Sequence, residues 1–447
     1  MKQRGFIFDT NLCTGCNACQ LACTLENQLD FNRSWRKLVT YNPRHLPGHP
    51  VYYLSIACNH CAEPDCLKYC PSLAYTKDPE TGHVLLNPDH CIGCKYCSWV
   101  CSYGAPLYDQ STGLMTKCNL CDHRYREELE PACVTICPTG ALKTGELEMD
   151  KNITVTSGFP TTVMKPAIEI IPLRMGQKLP ESPRLPFDSN LLELYRTRLM
   201  AVTQKISLGS EWSLLLFTYL AAFLVGDTFA AVFSTGLLGP VQYCLLLVCT
   251  FGISLTHLGR KSRAIRAVLN WRNSWLSREI ILFGLFAVIS IASRFFPAGS
   301  AITGPLAAIV GVAALFVMDH VYGILPLTDR SGIRDRALLL TGLMFTVILL
   351  DFIPVVLPII GLKVWLFISN YRISMQQRKS IYLYALAAGR ILSGFILLPV
   401  ALFIHLFPSD KIVLLLISEL LDRMIFYISL AVISPEIQME QDFRNNL

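Results

Sequence analysis

Sixteen of the eighteen cysteines fall between Cys13 and Cys137, in four groups of four. The groups are Cys13-x2-Cys16-x2-Cys19-x3-Cys23, Cys58-x2-Cys61-x4-Cys66-x3-Cys70-Pro71, Cys91-x2-Cys94-x2-Cys97-x3-Cys101 and Cys118-x2-Cys121-x11-Cys133-x3-Cys137-Pro138. Three closely spaced thiolates can wrap three irons of one compact cubane, while a fourth, three residues on, points away toward a neighbouring cluster. Four such groups predict four [4Fe–4S] clusters, and because Cys91, Cys94, Cys97 and Cys101 are all present, no three-iron cluster is expected there. Zinc competes for any CxxC pair, but four groups with the same x3 tail are hard to reach with zinc. The opening residues Met1–Thr10 have neither an apolar stretch nor a twin-Arg pair, so no export of this segment is expected. In a reducing compartment, cysteines at this density read as metal ligands rather than disulfides.

The first and third groups match the run of bacterial ferredoxins outright, and the second and fourth are the same run with an insertion. Because groups two and three are nested between one and four, the simplest topology is one ferredoxin-like unit inside another. It predicts Cys13, Cys16, Cys19 and Cys137 on one cluster, with Cys23, Cys118, Cys121 and Cys133 on its partner. The inner pair takes Cys58, Cys61, Cys66 and Cys101, then Cys70, Cys91, Cys94 and Cys97. Sequential pairing, one with two and three with four, is the alternative.

These ligands need a scaffold, and the rest of the chain is of a different kind. Only 16% of the 447 residues are charged and 52% are hydrophobic, against about 25% charged in soluble domains. A net charge of +6 gives no reason to expect nucleic acid. Residues 1–175 hold the cysteine groups among many turn residues, 176–208 read as a proline-containing linker, and 209–447 as a chain of apolar runs. About 20 apolar residues span a bilayer. Runs near Glu211–Phe233, Pro240–Leu258, Ile280–Phe296, Ile302–Tyr322, Ala337–Leu350, Phe352–Ser369, Tyr384–Phe407 and Ile412–Ile433 predict about eight spans. Pro354, Pro358 and Gly361 also allow one kinked or re-entrant segment in place of the fifth and sixth. The expected fold is therefore an α+β double, nested ferredoxin-like domain followed by an all-α transmembrane bundle.

Basic residues orient such a bundle. Loops on the cysteine-domain side carry Arg260, Lys261, Arg263, Arg266, Arg272, Arg278, Arg330, Arg334, Arg336, Arg372, Arg378 and Lys379, whereas the opposite loops carry Arg294 and Lys411. The cysteine domain is expected on the cytoplasmic side of the inner membrane, and an even number of spans returns the C-terminal tail there. Asp227, Asp319, Asp351 and Arg390 read as structural charges or a proton path. Glu419 and Arg423, four apart on one helix face, predict an ion pair. Cys244 and Cys249 read as small buried residues. His60, His90 and His123 lie near the cysteine groups without being needed as ligands, and Lys95 and Lys117 sit where positive charge would tune a cluster.

Cys58-Asn59-His60-Cys61, Cys91-Ile92-Gly93-Cys94-Lys95-Tyr96-Cys97, Tyr103-Gly104-Ala105-Pro106, Met115-Thr116-Lys117-Cys118 and Lys165-Pro166 resemble the iron–sulfur subunit of the dimethyl sulfoxide reductase family over residues 4–172. The second half resembles the separate membrane-anchor subunit of the same enzymes. The matching segments are Glu211-Trp212-Ser213-Leu214, His257-Leu258-Gly259, Arg263-Ala264, Ser277-Arg278-Glu279, Glu419-Leu420-Leu421-Asp422-Arg423 and Phe426-Tyr427. The chain looks like a fusion of the two. The resemblance implies a molybdopterin-bearing catalytic partner, a quinone such as menaquinone in the anchor, a Cys13 cluster facing the partner and a Cys91 cluster facing the membrane lipid. Family complexes often place the catalytic unit outside the membrane. The basic-loop count argues otherwise and suggests an analogy with the sulfite-oxidising branch.

A quinol releases two electrons and two protons, so its site needs a proton acceptor beside an electron acceptor. His257 and Glu279, at the cytoplasmic edge of the second and third spans, supply a hydrogen-bond partner and a proton carrier, and Arg263 a cation for the quinone carbonyl. A reading from another class is a haem-bearing or proton-translocating anchor with a different partner. His320 and His405 are its available haem ligands, but no haem is expected, since the resembled anchor carries none.

Overall fold

The computed structural model describes residues 2–30, 33–43, 50–149, 158–160, 162–174, 205–234, 236–327, 337–377, 381–404, 408–430 and 432–445. Most of the expected linker, Arg330, Arg334, Arg336, Arg378, Lys379 and His405 lie outside them, as does the side chain of Arg372. The chain divides into two units, one of Met1–Thr203 with Val432–Leu447 and one of Gln204–Ala431.

The first unit is built from short strands and short helices. Strand β1 (Lys2–Asp9) runs antiparallel to β8 (Leu142–Glu148) and parallel to β9 (Ile168–Ile171), giving a sheet of order β8-β1-β9. Three two-stranded hairpins accompany it: β2 (Lys37–Tyr41) with β3 (Tyr52–Ile56), β4 (Tyr75–Lys77) with β5 (Val84–Leu86), and β6 (Leu107–Asp109) with β7 (Leu114–Thr116). Alternation along the strands sends Phe6, Phe8, Leu54, Ile56, Ile168 and Ile170 into one core. At Gly5 the strands approach so closely that an added Cβ would meet the Ala167 carbonyl oxygen at 2.2 Å. Gly5→Ala is therefore expected to cost about 1–3 kcal/mol, read as a lowered thermal midpoint.

Five short helices follow or carry the cysteines: α1 (Ala18–Glu26), α2 (Asp65–Lys68), α3 (Tyr96–Val100), α4 (Asp122–Tyr125) and α5 (Ala132–Thr135). All but α1 are one turn or little more, long enough to aim a thiol but not to form a core.

The second unit is helical: α6 (Leu208–Phe233), α7 (Pro240–Thr256), α8 (Trp275–Phe295), α9 (Ser300–Gly323), α10 (Ala337–Leu349), α11 (Ile353–Gln377), α12 (Ile381–Arg390), α13 (Leu398–Phe403) and α14 (Pro408–Ser429). A π-helical stretch, Ile391–Leu397, joins α12 to α13. Among the described residues four helices are long and apolar enough to cross a membrane: Leu208–Phe233, Trp275–Phe295, Ser300–Gly323 and Tyr382–Phe403. A fifth is gained if α7 and the 3-10 turn Lys261–Val268, bent from it by 100°, count as one. Helix α10, at 13 residues, is only about 20 Å long. Apolar side chains face outward along these helices, as at Val241, Leu245 and Val248 of α7 and Ile302, Leu306 and Ile309 of α9. Such outer faces and lengths fit a membrane-integral protein.

Helix α15 (Pro435–Asn445) belongs to the first unit, although the expectation for 209–447 groups it with the apolar runs. Its sequence is polar. Met439 enters the core of Phe6 and Phe8, Glu436 pairs with Lys37 at 3.8 Å, and Asp442 accepts from the Gly158 N–H at 2.5 Å.

Candidate thiolate sites and the buried charges of the helical unit

The four cysteine loops share one backbone device. The residue two beyond each leading cysteine (Gly15, His60, Gly93, Leu120) has positive φ, between 44° and 74°. This conformation turns successive N–H groups toward the sulfur, a concave arrangement suited to an anion. The N–H of Gly93 lies 3.4 Å from Cys91 Sγ and that of Leu120 3.3 Å from Cys118 Sγ. Glycine adopts such a φ without penalty, but His60 and Leu120 do not, so sequence alone does not mark the repeat.

Tertiary folding draws cysteines together across the groups. Cys13 lies within electrostatic reach of Cys16, Cys19 and Cys137. Cys23 is in reach of Cys121 and Cys133, and Cys118 of Cys23, Cys58 and Cys133. Cys61 is in reach of Cys58, Cys66 and Cys101, and Cys97 of Cys70, Cys91 and Cys94. The third set lines a small open pocket with Lys117, Asp65 and Tyr103 in its walls. All sixteen of these thiols are unbridged. Burial pushes the Cys61 and Cys97 thiols well up and Cys23 to about 11. Bound metal would reverse this, because a coordinating thiol is deprotonated outright.

The surroundings suit an anionic iron–sulfur core. Two guanidinium nitrogens of the buried Arg36, in reach of Cys19, Cys23, Cys118 and Cys133, have no hydrogen-bond partner among the described residues. Buried cations are costly without a counter-charge, and a thiolate-bound cluster would supply one. Among the described residues no three His, Cys, Asp or Glu converge on a point that could hold a single metal ion.

The nearby histidines have other partners. His60 Nδ1 accepts from the Val84 N–H at 2.9 Å, and His123 Nε2 lies 2.9 Å from Glu26. Burial drives His60 well below its ordinary range, so it stays neutral. Lys117 is buried, donating to the carbonyls of Val84 and Cys118, whereas Lys95 lies over the Tyr108 ring.

In the helical unit, His257 caps the C-terminus of α7, Arg263 lies in the following 3-10 turn and Glu279 in the second turn of α8. His257 and Arg263 are half-buried and Glu279 is 6% exposed. All three adjoin the same connection. The charge that acts on Glu279, however, is Arg423 of α14, a residue that helical spacing ties to Glu419 instead. Arg423 does not pair with Glu419. Its Nε donates to Thr218 Oγ1 at 3.0 Å and its guanidinium lies 4.4 Å from the Phe426 ring centroid. Glu419 meets Lys363 of α11, Arg390 of α12 at 3.2 Å and Thr341 of α10 at 2.6 Å. Three neighbouring helices thus outcompete the i,i+4 partner. Asp422 joins this network, 3.3 Å from Lys363 and 3.5 Å from Arg390.

The other charges of the helical unit are also held. Asp227 pairs with Arg294 and accepts from the Leu237 N–H, Asp319 caps α10 through the N–H groups of Leu338 and Leu339, and Asp351 pairs with Lys411 at 3.0 Å. His320 packs against Trp275 and Phe316. Cys249 is exposed and Cys244 half-buried, against the expectation of buried fillers.

Cysteine sets of this kind on a strand-and-turn scaffold define an iron–sulfur protein of the ferredoxin class. The 4Fe-4S dicluster domain family matches residues 49–147. One chain of the anaerobic dimethyl sulfoxide reductase of Escherichia coli is 43% identical over 154 residues, 33% of this protein and 75% of the relative. One chain of the polysulfide reductase of Wolinella succinogenes is 36% identical over 186 residues, covering 39% and 97%. One subunit of the sulfite dehydrogenase of Allochromatium vinosum is 32% identical over 203 residues, covering 39% and 85%. The protein belongs to the family of electron-transfer iron–sulfur subunits of dimethyl sulfoxide reductase-type molybdoenzyme complexes.

Proposed function

We propose that this chain is the electron-transfer and membrane-anchor subunit of a quinone-linked molybdopterin oxidoreductase, with four [4Fe–4S] clusters and a quinone site in one polypeptide. The observation that supports the reading is that thiols from different sequence groups lie within reach of one another, Cys13 of Cys137, Cys23 of Cys133, Cys61 of Cys101 and Cys97 of Cys70, in a chain that continues into apolar helices. When bound, such clusters supply one-electron chemistry at potentials set by nearby charge, hydrogen bonds and burial.

The ligands we assign are Cys13, Cys16, Cys19 and Cys137; Cys23, Cys118, Cys121 and Cys133; Cys58, Cys61, Cys66 and Cys101; and Cys70, Cys91, Cys94 and Cys97. Glu279 carries a quinol proton, His257 receives a quinol hydroxyl and Arg263 holds a carbonyl oxygen. The catalytic partner docks on the cysteine domain, 1–175, and the anchor begins near residue 209.

Eight crossings and a cytoplasmic cysteine domain are supported by connectivity and charge. The C-terminal helix Pro435–Asn445 belongs to the first unit, which fits an even number of crossings. Past α7 the chain turns by 100° into a segment exposing Ile265, Leu269 and Trp271 beside Arg260, Lys261, Arg266 and Arg272. Apolar side chains among cations mark the membrane–water boundary, and their charge marks the cytoplasmic face.

Purification without oxygen is expected to yield about 16 iron and 16 sulfide per chain, with a molybdenum- or tungsten-containing subunit attached. Material with almost no iron would overturn the assignment.

A further inference from the structure

Arg36, just before β2, is 1% exposed and is one of the largest fully buried side chains. Its guanidinium stacks 4.2 Å from the Phe6 ring centroid, and its Nη1 donates to the Ser55 carbonyl at 3.2 Å and the Ser55 hydroxyl at 3.0 Å. Ser55 Oγ lies 3.4 Å from Cys19 Sγ, so one arm of Arg36 reaches the first set through a hydroxyl. The backbone N–H of Arg36 donates to Ser34 Oγ at 3.3 Å, and its charge acts on Cys23 of the second set. Nε and Nη2 have no hydrogen-bond partner among the described residues. Guanidinium does not lose its proton in proteins, and an isolated buried charge is strongly disfavoured. The thiols within its electrostatic reach are Cys19 of the first set and Cys23, Cys118 and Cys133 of the second.

We propose that Arg36 is a counter-charge shared by the Cys13 and Cys23 sets, a positioning residue that makes clusters in both easier to reduce. The proposal rests on the reading that these two sets carry clusters. Its physical basis is Coulombic: a fixed cation between two anionic centres stabilises an added electron on either, and burial weakens the screening. The thiols that act most strongly on Arg36 belong to the first two sets, so the largest shift is expected there. Lysine would keep the charge but lose the fork that Ser55 and Phe6 hold in place.

The test is a redox titration of the intact complex followed by electron paramagnetic resonance. Signals are assigned by their loss in Cys16→Ser, Cys121→Ser and Cys94→Ser. Arg36→Gln with wild-type iron content is expected to make the first two sets at least tenfold harder to reduce, a fall of about 59 mV or more for one electron. The Cys94 signal stays in place, and Arg36→Lys recovers most of the fall. Unmoved potentials in iron-loaded Arg36→Gln, or an equal shift of every signal, would overturn the role of Arg36. If Arg36→Gln assembles no clusters, Ser55→Ala is expected to lower the first set's potential while the Cys94 signal stays in place; no change there overturns the proposal. Iron-free wild-type protein is a different result, and it removes the cluster reading itself.

Discussion

Cys97→Ser, prepared without oxygen, is expected to carry about a quarter less iron and sulfide than the wild type and to lose electron exchange with quinol. Cys97 is buried at the start of α3, within reach of Cys70, Cys91 and Cys94. Its loop is tightly determined, since Gly93 and Lys95 hold positive φ and Tyr96, Trp99 and Val100 are buried around it. A serine hydroxyl there is a poor substitute for a thiolate, and the cysteines beyond these three are committed to their own sets. Those other sets are expected to assemble. Iron quantitation and the count of paramagnetic centres check the result. An unchanged cluster count would remove Cys97 from the ligands.

Glu279→Gln is expected to slow quinol turnover by about a hundredfold or more while leaving electron delivery from an artificial donor to the catalytic partner intact. The amide keeps the volume of the carboxyl at this buried position in α8, so packing is spared and only the ionisable group is lost. Arg423, whose charge acts on Glu279, would remain buried. Steady-state assays with quinol and with a soluble dye separate the two steps. Equal loss in both assays would assign Glu279 to structure, and undiminished quinol turnover would remove it from the proton route.

The cysteine groups are legible because most of each is local: closely spaced thiols and a tail three residues on form a turn and a short helix. Arg36 is not legible. It stands outside every cysteine group, and its burial comes from Phe6 and Ser55, which are far from it in sequence or on another strand. The partners of Glu419 escape for a related reason. Helical spacing identifies who stands next to whom on one helix, but Lys363 and Arg390 arrive from two others. Hydropathy finds apolar runs without measuring them, so Ala337–Leu350 reads as a span while its helix, Ala337–Leu349, is short for one. The C-terminal segment misleads in the opposite way: its polar sequence hides Met439, the residue that enters the first unit's core.

That last contact sets a schedule. A core containing Phe6, Phe8 and Met439 cannot close until the ribosome has passed residue 439, so every apolar helix is synthesised before the amino-terminal unit is finished. A chain ending before Pro435 would leave that core without the Met439 side chain.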